Sequence, residues 1–230
     1  ILQGGRDYQS TPEDLRLWEA GLGQRDGALF KLYPSLSHLF TPGDGTATPE
    51  EYATQVKHVA VLLRDEIGYD AIRKSVKRPL TGLKVAIHYG CHLLKPSRIM
   101  QVDAPDNPQV MERLVEALGA TPVRHRNWYL CCGKACQSEE IPNKMMRDLL
   151  TTVHEEKAEV LGMICPTCFG QFDHGQMKVS KLYDEDFHTP PIYYFQLLAF
   201  AQGVPYDKLG FERQRFKPTA LQRYEEVAAE

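Results

Sequence analysis

The stretch "LKVAIHYG" (83–90) is a short run of apolar, β-prone residues closed by glycine, the pattern of a buried strand. The segments downstream of it decide the topology. "PDNPQVMERLVEALGA" (105–120) reads as a helix, with Asn107 as cap, Pro108 at the first helical position and Gly119 as stop. Val110, Leu114 and Leu118 fall on one face of it. "TPVRHRNWYL" (121–130) reads as the next strand, and "IPNKMMRDLLTTVHEEKAEV" (141–160) as an amphipathic helix with Met146, Leu149, Leu150 and Val153 inward. "VLGMI" (160–164) reads as a third strand and "PPIYYFQLLAFAQG" (190–203) as a last apolar helix. Strand–helix–strand–helix–strand predicts an α/β fold, a parallel sheet with right-handed crossovers and flanking helices.

Upstream the texture differs. "TPEDLRLWEAG" (11–21) opens with Thr11 as N-cap, Pro12 at the first helical position and Asp14 in the first turn. "TPEEYATQVKHVAVLLRDEIG" (48–68) repeats the device with Thr48, Pro49 and Glu51, a capping box. Tyr52, Val56, Val59, Leu63 and Ile67 then recur at helical spacing up to Gly68. Residues 1–80 therefore read as mostly helical. Residues 213–230 read as a tail, one that docks on a partner.

The chain has 230 residues, enough for one large or two small domains. Lys and Arg number 27 against 30 Asp and Glu, a net charge of −3 that gives no support for a nucleic-acid or membrane-surface role. No apolar run is long enough to span a bilayer. No signal-peptide pattern is visible at its start, which is Ile1 rather than Met.

All six cysteines, Cys91, Cys131, Cys132, Cys136, Cys165 and Cys168, lie between residues 91 and 168. A secreted disulfide scaffold is usually short and spreads its cysteines along the chain. This distribution points instead to reduced thiols in a reducing compartment, a cytoplasmic protein. On the sketched sheet Cys91 follows the first strand, "YLCCG" places Cys131 and Cys132 after the second, and "ICPTC" places Cys165 and Cys168 after the third. Functional groups collect beyond the carboxyl ends of parallel strands, so three strand ends bring five thiols to one edge. Thiolate sulfur ligates iron–sulfur clusters and zinc. Zinc takes four ligands and five are present; a vicinal disulfide between Cys131 and Cys132 is strained. Iron–sulfur ligation leads, with zinc and thiol–disulfide chemistry as the alternatives.

The pattern of Cys91, Cys131-Cys132-Gly133 and Cys165-Pro-Thr-Cys168 resembles the CCG cysteine-rich domain of the B-type subunit family of heterodisulfide reductases. "GLKVAIHYGCHLLKPS" (82–97), "DAPDNPQVMERLVEALGATPV" (103–123), "CPTC" with "DHGQ" (165–176), and "PPIYYFQLLAFAQG" are similar to the C-terminal half of that subunit. The resemblance implies that residues 81–212 form a CCG-type α/β iron–sulfur domain, and that Cys91, Cys131, Cys132, Cys165 and Cys168 ligate one non-cubane [4Fe–4S] cluster. It further implies an oxidoreductase subunit acting on a thiol or disulfide within a complex, beside a ferredoxin-like iron–sulfur subunit and a flavin-containing one. Family members usually carry two such motifs. Residues 1–80 have no cysteine and read as a degenerate N-terminal half without ligands. A relay or scaffolding subunit with a single cluster is the alternative function, and a structural zinc site another.

Other residues are candidates by position. His88 and His92 flank Cys91 and could deliver a proton to a leaving thiolate. Lys134, next to "CCG", could tune a cluster's potential. Lys95 and Arg98 could hold an anionic substrate, and His174 could line the pocket or sit in a loop. Cys136 falls outside the ligand pattern and reads as a small buried residue. No GxGxxG or phosphate-binding loop is present, so electrons must arrive from another protein.

Overall fold

The structure is a computed structural model, and it describes residues 2–4, 12–22, 31–33 and 57–225. The chain divides into two compact units, Ile1–Lys57 and His58–Glu230.

In the first unit, strand β1 (Leu2–Gly4) pairs in parallel with β2 (Lys31–Tyr33), and helix α1 (Pro12–Leu22) lies between them in sequence. Pro12 starts α1 as its fixed φ favours. The two strands were not expected in this region, because three residues are too few to show an alternating pattern. Thr48, Pro49 and Glu51 lie outside the described residues.

The second unit begins with α2 (Val59–Leu62), which runs on through a π-helical turn at Leu63–Ile67. Gly68, at φ +80°, ends it as the sequence indicates. Helix α3 (Tyr69–Ser75) comes next, then β3 (Lys84–Ile87), α4 (Cys91–Leu94), α5 (Ser97–Met100), α6 (Val110–Glu116) and β4 (Thr121–Val123). After these come α7 (Glu140–Glu155), β5 (Val160–Met163), α8 (Pro166–Tyr183), β6 (Pro191–Tyr193) and α9 (Tyr194–Ala201). Four strands pair in the order β4–β3–β5–β6, all parallel, with Ala86 opposite both Val123 and Leu161.

Alternation along the strands sends side chains to two faces. Val85, Ile87, Val160 and Ile192 pack against Met111, Leu114, Leu197 and Phe200 on one side. Ala86, Leu161 and Met163 pack against Met146, Leu149, Val153, Phe172 and Val179 on the other. The chain thus steps from β3 to β4 with α6 on one face, then reverses past β3 to β5 with α7 on the opposite face. The reversal makes the β3/β5 boundary the topological switch point, where open parallel sheets bind ligands.

Four features differ from the sequence reading. First, α6 starts at Val110, because the Asp103 carboxylate accepts from the backbone N–H of Gln109 and Val110 at 2.6 Å each. Asn107 instead accepts from Arg124 at 2.6 Å. Second, β4 ends at Val123, and Arg124 onward leaves the sheet. Third, the segment after Cys165 is an 18-residue helix, and the last apolar segment splits into β6 and α9. Pro191 is tolerated in β6 because that strand is an edge. Fourth, residues 213–225 do not project as a tail. A 3-10 turn at Thr219–Tyr224 buries Leu221 and Tyr224 in the core. Arg223 forks onto Glu159, and the Tyr224 hydroxyl donates to the Thr81 carbonyl at 2.9 Å.

Candidate metal centre

Strand β3 runs into Tyr89 and Gly90, and Gly90 (φ +73°) turns the chain into α4 at Cys91. A Cβ on Gly90 would lie 3.4 Å from the Cys168 sulfur and 3.6 Å from the Cys165 Cβ. Only a residue without a side chain lets the backbone of the first strand end approach the third so closely. Beyond β5, Cys165 caps α8 and Pro166 opens it, which leaves Cys168 in its first turn, buried on the inner face. Cys131 and Cys132 arrive on an irregular turn between β4 and α7 rather than on a strand end proper. That turn is held by Gly133 at φ +79°, where a Cβ would meet Pro142 Cα at 2.8 Å.

All five thiols line one cavity of about 330 Å³ above the β3/β5 switch point. Cys132 and Cys168 are buried at its base, and Cys91, Cys131 and Cys165 are half-buried. The sulfurs of Cys91 and Cys131 lie 3.9 Å apart, and the Gly133 N–H donates to the Cys131 sulfur at 3.4 Å. A hydrogen bond from Cys168, aided by the Lys134 N–H, pulls the Cys132 thiol down to about 6. The same bond, reinforced by burial, pushes Cys168 up. Burial raises Cys131.

The remaining wall is mostly apolar: Leu93, Met100 and Ile164 from three segments, with Tyr89 beneath. Phe169 stacks on Tyr193 at 4.3 Å between ring centroids and 9° between planes. Burial, followed by the charges of Cys165 and Cys168, raises the Tyr193 hydroxyl.

Two of the other candidates reach the cavity. His92 and Lys134 are exposed and line it. His88 does not line it. Its side chain points into the core edge-on to Phe172, 5.0 Å between centroids, with no protein hydrogen-bond partner on either ring nitrogen. Burial, with His125 nearby, lowers its pKa to about 3. A neutral, fully buried imidazole cannot pick up and deliver solvent protons, so the acid role expected of His88 is corrected to a core position. Lys95 lines a neighbouring cleft with Trp128 and Tyr129 that shares Tyr89, Gly90 and Cys91 with the thiol cavity, and Arg98 is exposed outside both. Cys136 is exposed rather than buried, and His174 is on a helix rather than in a loop. His58 and Thr167 line the thiol cavity and were missed. Thr167 lies inside the "CPTC" motif itself, whereas no sequence signal connects His58 to residues thirty or more positions away.

The donor set fits an iron–sulfur group. Five thiol sulfurs exceed the tetrahedral need of one zinc ion, the glycine cradle at Gly90 brings backbone close to two of them, and the cavity is larger than a single ion requires. Among the described residues no helix is long and apolar enough to cross a membrane.

Comparison with known proteins agrees with this geometry. Residues 85–173 match the family model of the CCG cysteine-rich domain. Among curated proteins, the chain is 34% identical over 167 residues to the B-type subunit of the ferredoxin/F(420)H(2)-dependent CoB-CoM heterodisulfide reductase of Methanosarcina acetivorans, covering 69% of this chain and 54% of that one. It is 33% identical over 165 residues to the B-type subunit of the ferredoxin:CoB-CoM heterodisulfide reductase of Methanosarcina mazei, covering 70% and 54%. It is also 31% identical over 154 residues to the 8-methylmenaquinol:fumarate reductase membrane anchor subunit of Wolinella succinogenes, covering 66% and 54%. The chain spans about half the length of these relatives.

Proposed function

We propose that this chain, which carries a CCG cysteine-rich domain and is related to the B-type subunits of heterodisulfide reductases, is the iron–sulfur subunit of a heterodisulfide reductase-like complex. Cys91, Cys131, Cys132, Cys165 and Cys168 would hold one [4Fe–4S] cluster, of the non-cubane kind. The observation that carries the reading is the meeting of all five thiols, from three separate segments of the chain, around one cavity. Bound there, the cluster supplies one-electron redox chemistry at sulfur.

The chain's own residues supply the rest. The half-buried thiols at the mouth leave the cavity open to a small thiol or disulfide, while Leu93, Met100 and Ile164 limit water. His92, exposed on the wall, can carry a proton to a leaving thiolate. The Lys134 ammonium offsets the negative charge of several thiolates. Electrons enter from a ferredoxin-like subunit and ultimately a flavin-containing one. A cytoplasmic setting, where thiols stay reduced, suits this chemistry.

A second reading is a relay subunit without substrate turnover; the related 8-methylmenaquinol:fumarate reductase membrane anchor subunit belongs to an enzyme whose name includes no disulfide. Anaerobic purification with iron and sulfide analysis, and electron paramagnetic resonance with and without added thiol, separates them. About four irons per chain, as expected of such a cluster, with a thiol-sensitive signal, supports substrate chemistry. A thiol-indifferent signal supports the relay. A colourless protein holding one zinc refutes both.

A further inference from the structure

His58 stands outside residues 85–173, the stretch that matches the cysteine-rich family, yet it lines the thiol cavity. It is the N-cap of α2. Its backbone is extended, at φ −63° and ψ 141°, and its carbonyl accepts from the N–H groups of Val61 and Leu62 at 2.8 and 3.2 Å. The ring completes the cap, with Nδ1 accepting from the Ala60 N–H at 3.1 Å. Ser, Thr, Asp and Asn do this better than histidine, so capping alone does not call for an imidazole here.

The cap fixes the state of the ring. A backbone N–H only donates, so Nδ1 carries no proton and the neutral ring keeps its proton on Nε2. Burial lowers the pKa of the ring. Protonating Nδ1 would break the cap and set a cation against the positive end of the helix. Helix α2 is itself held in place: Ala60 and Leu63 sink into the core. The Arg64 guanidinium donates to the carbonyl of Val102, two residues past Met100 on the cavity wall. Two other side chains bring N–H groups to the cavity, His92 and Lys134, and both are exposed to solvent. His58 is half-buried, and a hydrogen bond sheltered from water acts more strongly on its acceptor.

We infer that His58 is a hydrogen-bond donor to sulfur at the thiol centre. Its Nε2–H meets a sulfur in the cavity, a cysteine thiolate in the metal-free chain or a sulfur of the bound cluster, and stabilises the more negative state. This deepens the reading of the cavity as an iron–sulfur centre and, for the cluster, rests on it. His58 transfers no proton. It sets the electron affinity of the centre, as hydrogen bonds to cluster sulfurs do.

The full chain with isotope-labelled histidine, purified anaerobically without metal, is read by long-range proton–nitrogen NMR. The His58 signals, assigned by their loss in His58→Asn, are expected to show a neutral ring protonated on Nε2 at neutral pH. His58→Asn keeps a good cap but spends its short amide on it and offers the cavity no donor; His58→Leu removes both. After loading with iron and sulfide, redox titration followed by electron paramagnetic resonance should show both variants shifted to lower potential. At a fixed potential the ratio of reduced to oxidised cluster falls about three- to tenfold. Iron content and melting temperature of His58→Asn should stay at the unsubstituted values. In the metal-free chain, the pH midpoint of iodoacetamide labelling should rise in His58→Asn for at least one of the half-buried thiols Cys91, Cys131 and Cys165. A ring protonated on Nδ1, or a His58→Asn chain in which neither the potential nor any thiol moves, overturns the inference and leaves His58 a cap. Iron analysis of the same samples keeps the two readings apart. A thiol shift in a chain that binds no iron removes the cluster and leaves the donor; bound iron with no shift removes the donor alone.

Discussion

Acid should unfold this domain through its buried histidines, and the size of the effect follows from the structure. His88 is fully buried and lowered to about 3 by burial and by His125. His125 is lowered to about 4, chiefly by burial, and its ring bridges Thr152 at 2.9 Å and the Ile87 carbonyl at 3.2 Å. In the unfolded chain both return to the ordinary histidine value of about 6.5. Below that value the unfolded state takes up protons that the folded state refuses, so stability falls as pH falls, until the folded-state values are reached. Between about pH 7 and pH 5 each histidine costs about 2 kcal/mol, from the ratio of protonated to neutral unfolded chain. The pair costs about 4 kcal/mol, a large share of the ordinary stability of a domain. Other groups titrate in this range too, Cys132 among them, so the diagnostic quantity is a difference between two proteins. His88→Leu should reduce the loss between those two pH values by about 2 kcal/mol in urea titrations followed by circular dichroism. An unchanged pH dependence in His88→Leu would show that His88 is solvated or partnered and would refute the reasoning.

Gly133→Ala is expected to cost about 2–5 kcal/mol, from the left-handed backbone and the overlap with Pro142, with loss of bound iron measured alongside denaturant midpoints. Removal of residues 219–230 is expected to destabilise the domain by about 3–5 kcal/mol, because Leu221 and Tyr224 leave the core; an unchanged melting temperature would restore the picture of a free tail. Cys136→Ser is expected to leave iron content intact, whereas Cys132→Ser lowers it severely, by iron analysis of anaerobic protein. His92→Gln is expected to reduce disulfide turnover about 10²-fold or more if its imidazole delivers the proton, with little change in iron content; equal turnover would remove it from that role.

Strand β3 was legible as a β-prone apolar run closed by Gly90 and β5 as a short apolar run, whereas β6, three residues long, reads in sequence as part of the following helix. Helix α7 was legible because Met146, Leu149, Leu150 and Val153 keep one face. Helix α8 was not: Gly170 and Gly175 interrupt its pattern, and its inner face carries Asp173 and Gln176 beside Phe172 and Val179. Those polar groups are buried only because distant backbone meets them. Asp173 takes the N–H groups of Arg215 and Phe216, and Gln176 exchanges hydrogen bonds with Thr189. Proline at its first position and the spacing of Phe172, Gln176 and Val179 were the available signals. The C-terminal segment failed for the complementary reason, since its partners Asp173, Glu159 and Thr81 lie far away in sequence.

The gathering of thiols needed only strand ends, but their inequality needed the strand order. With β3 and β5 adjacent, Cys91 and the pair Cys165 and Cys168 follow neighbouring strands, and a glycine at position 90 suffices to bring them together. Strand β4 lies one place further out, so Cys131 and Cys132 can reach the same cavity only if the chain leaves the sheet and crosses back above β3. The early end of β4 at Val123 and the irregular turn after it are that crossing. His125, on its way, plugs the space under it by bonding Ile87 of β3 and Thr152 of α7. A substitution there, such as His125→Ala, should loosen the turn that delivers Cys131 and Cys132 while leaving the Cys91 and Cys165 ends in place. Thiol labelling without bound metal should then show Cys132 newly reactive and Cys168 much less so. Equal exposure of both would mean that the turn and the sheet melt as one unit, and that the crossing has no separate anchor.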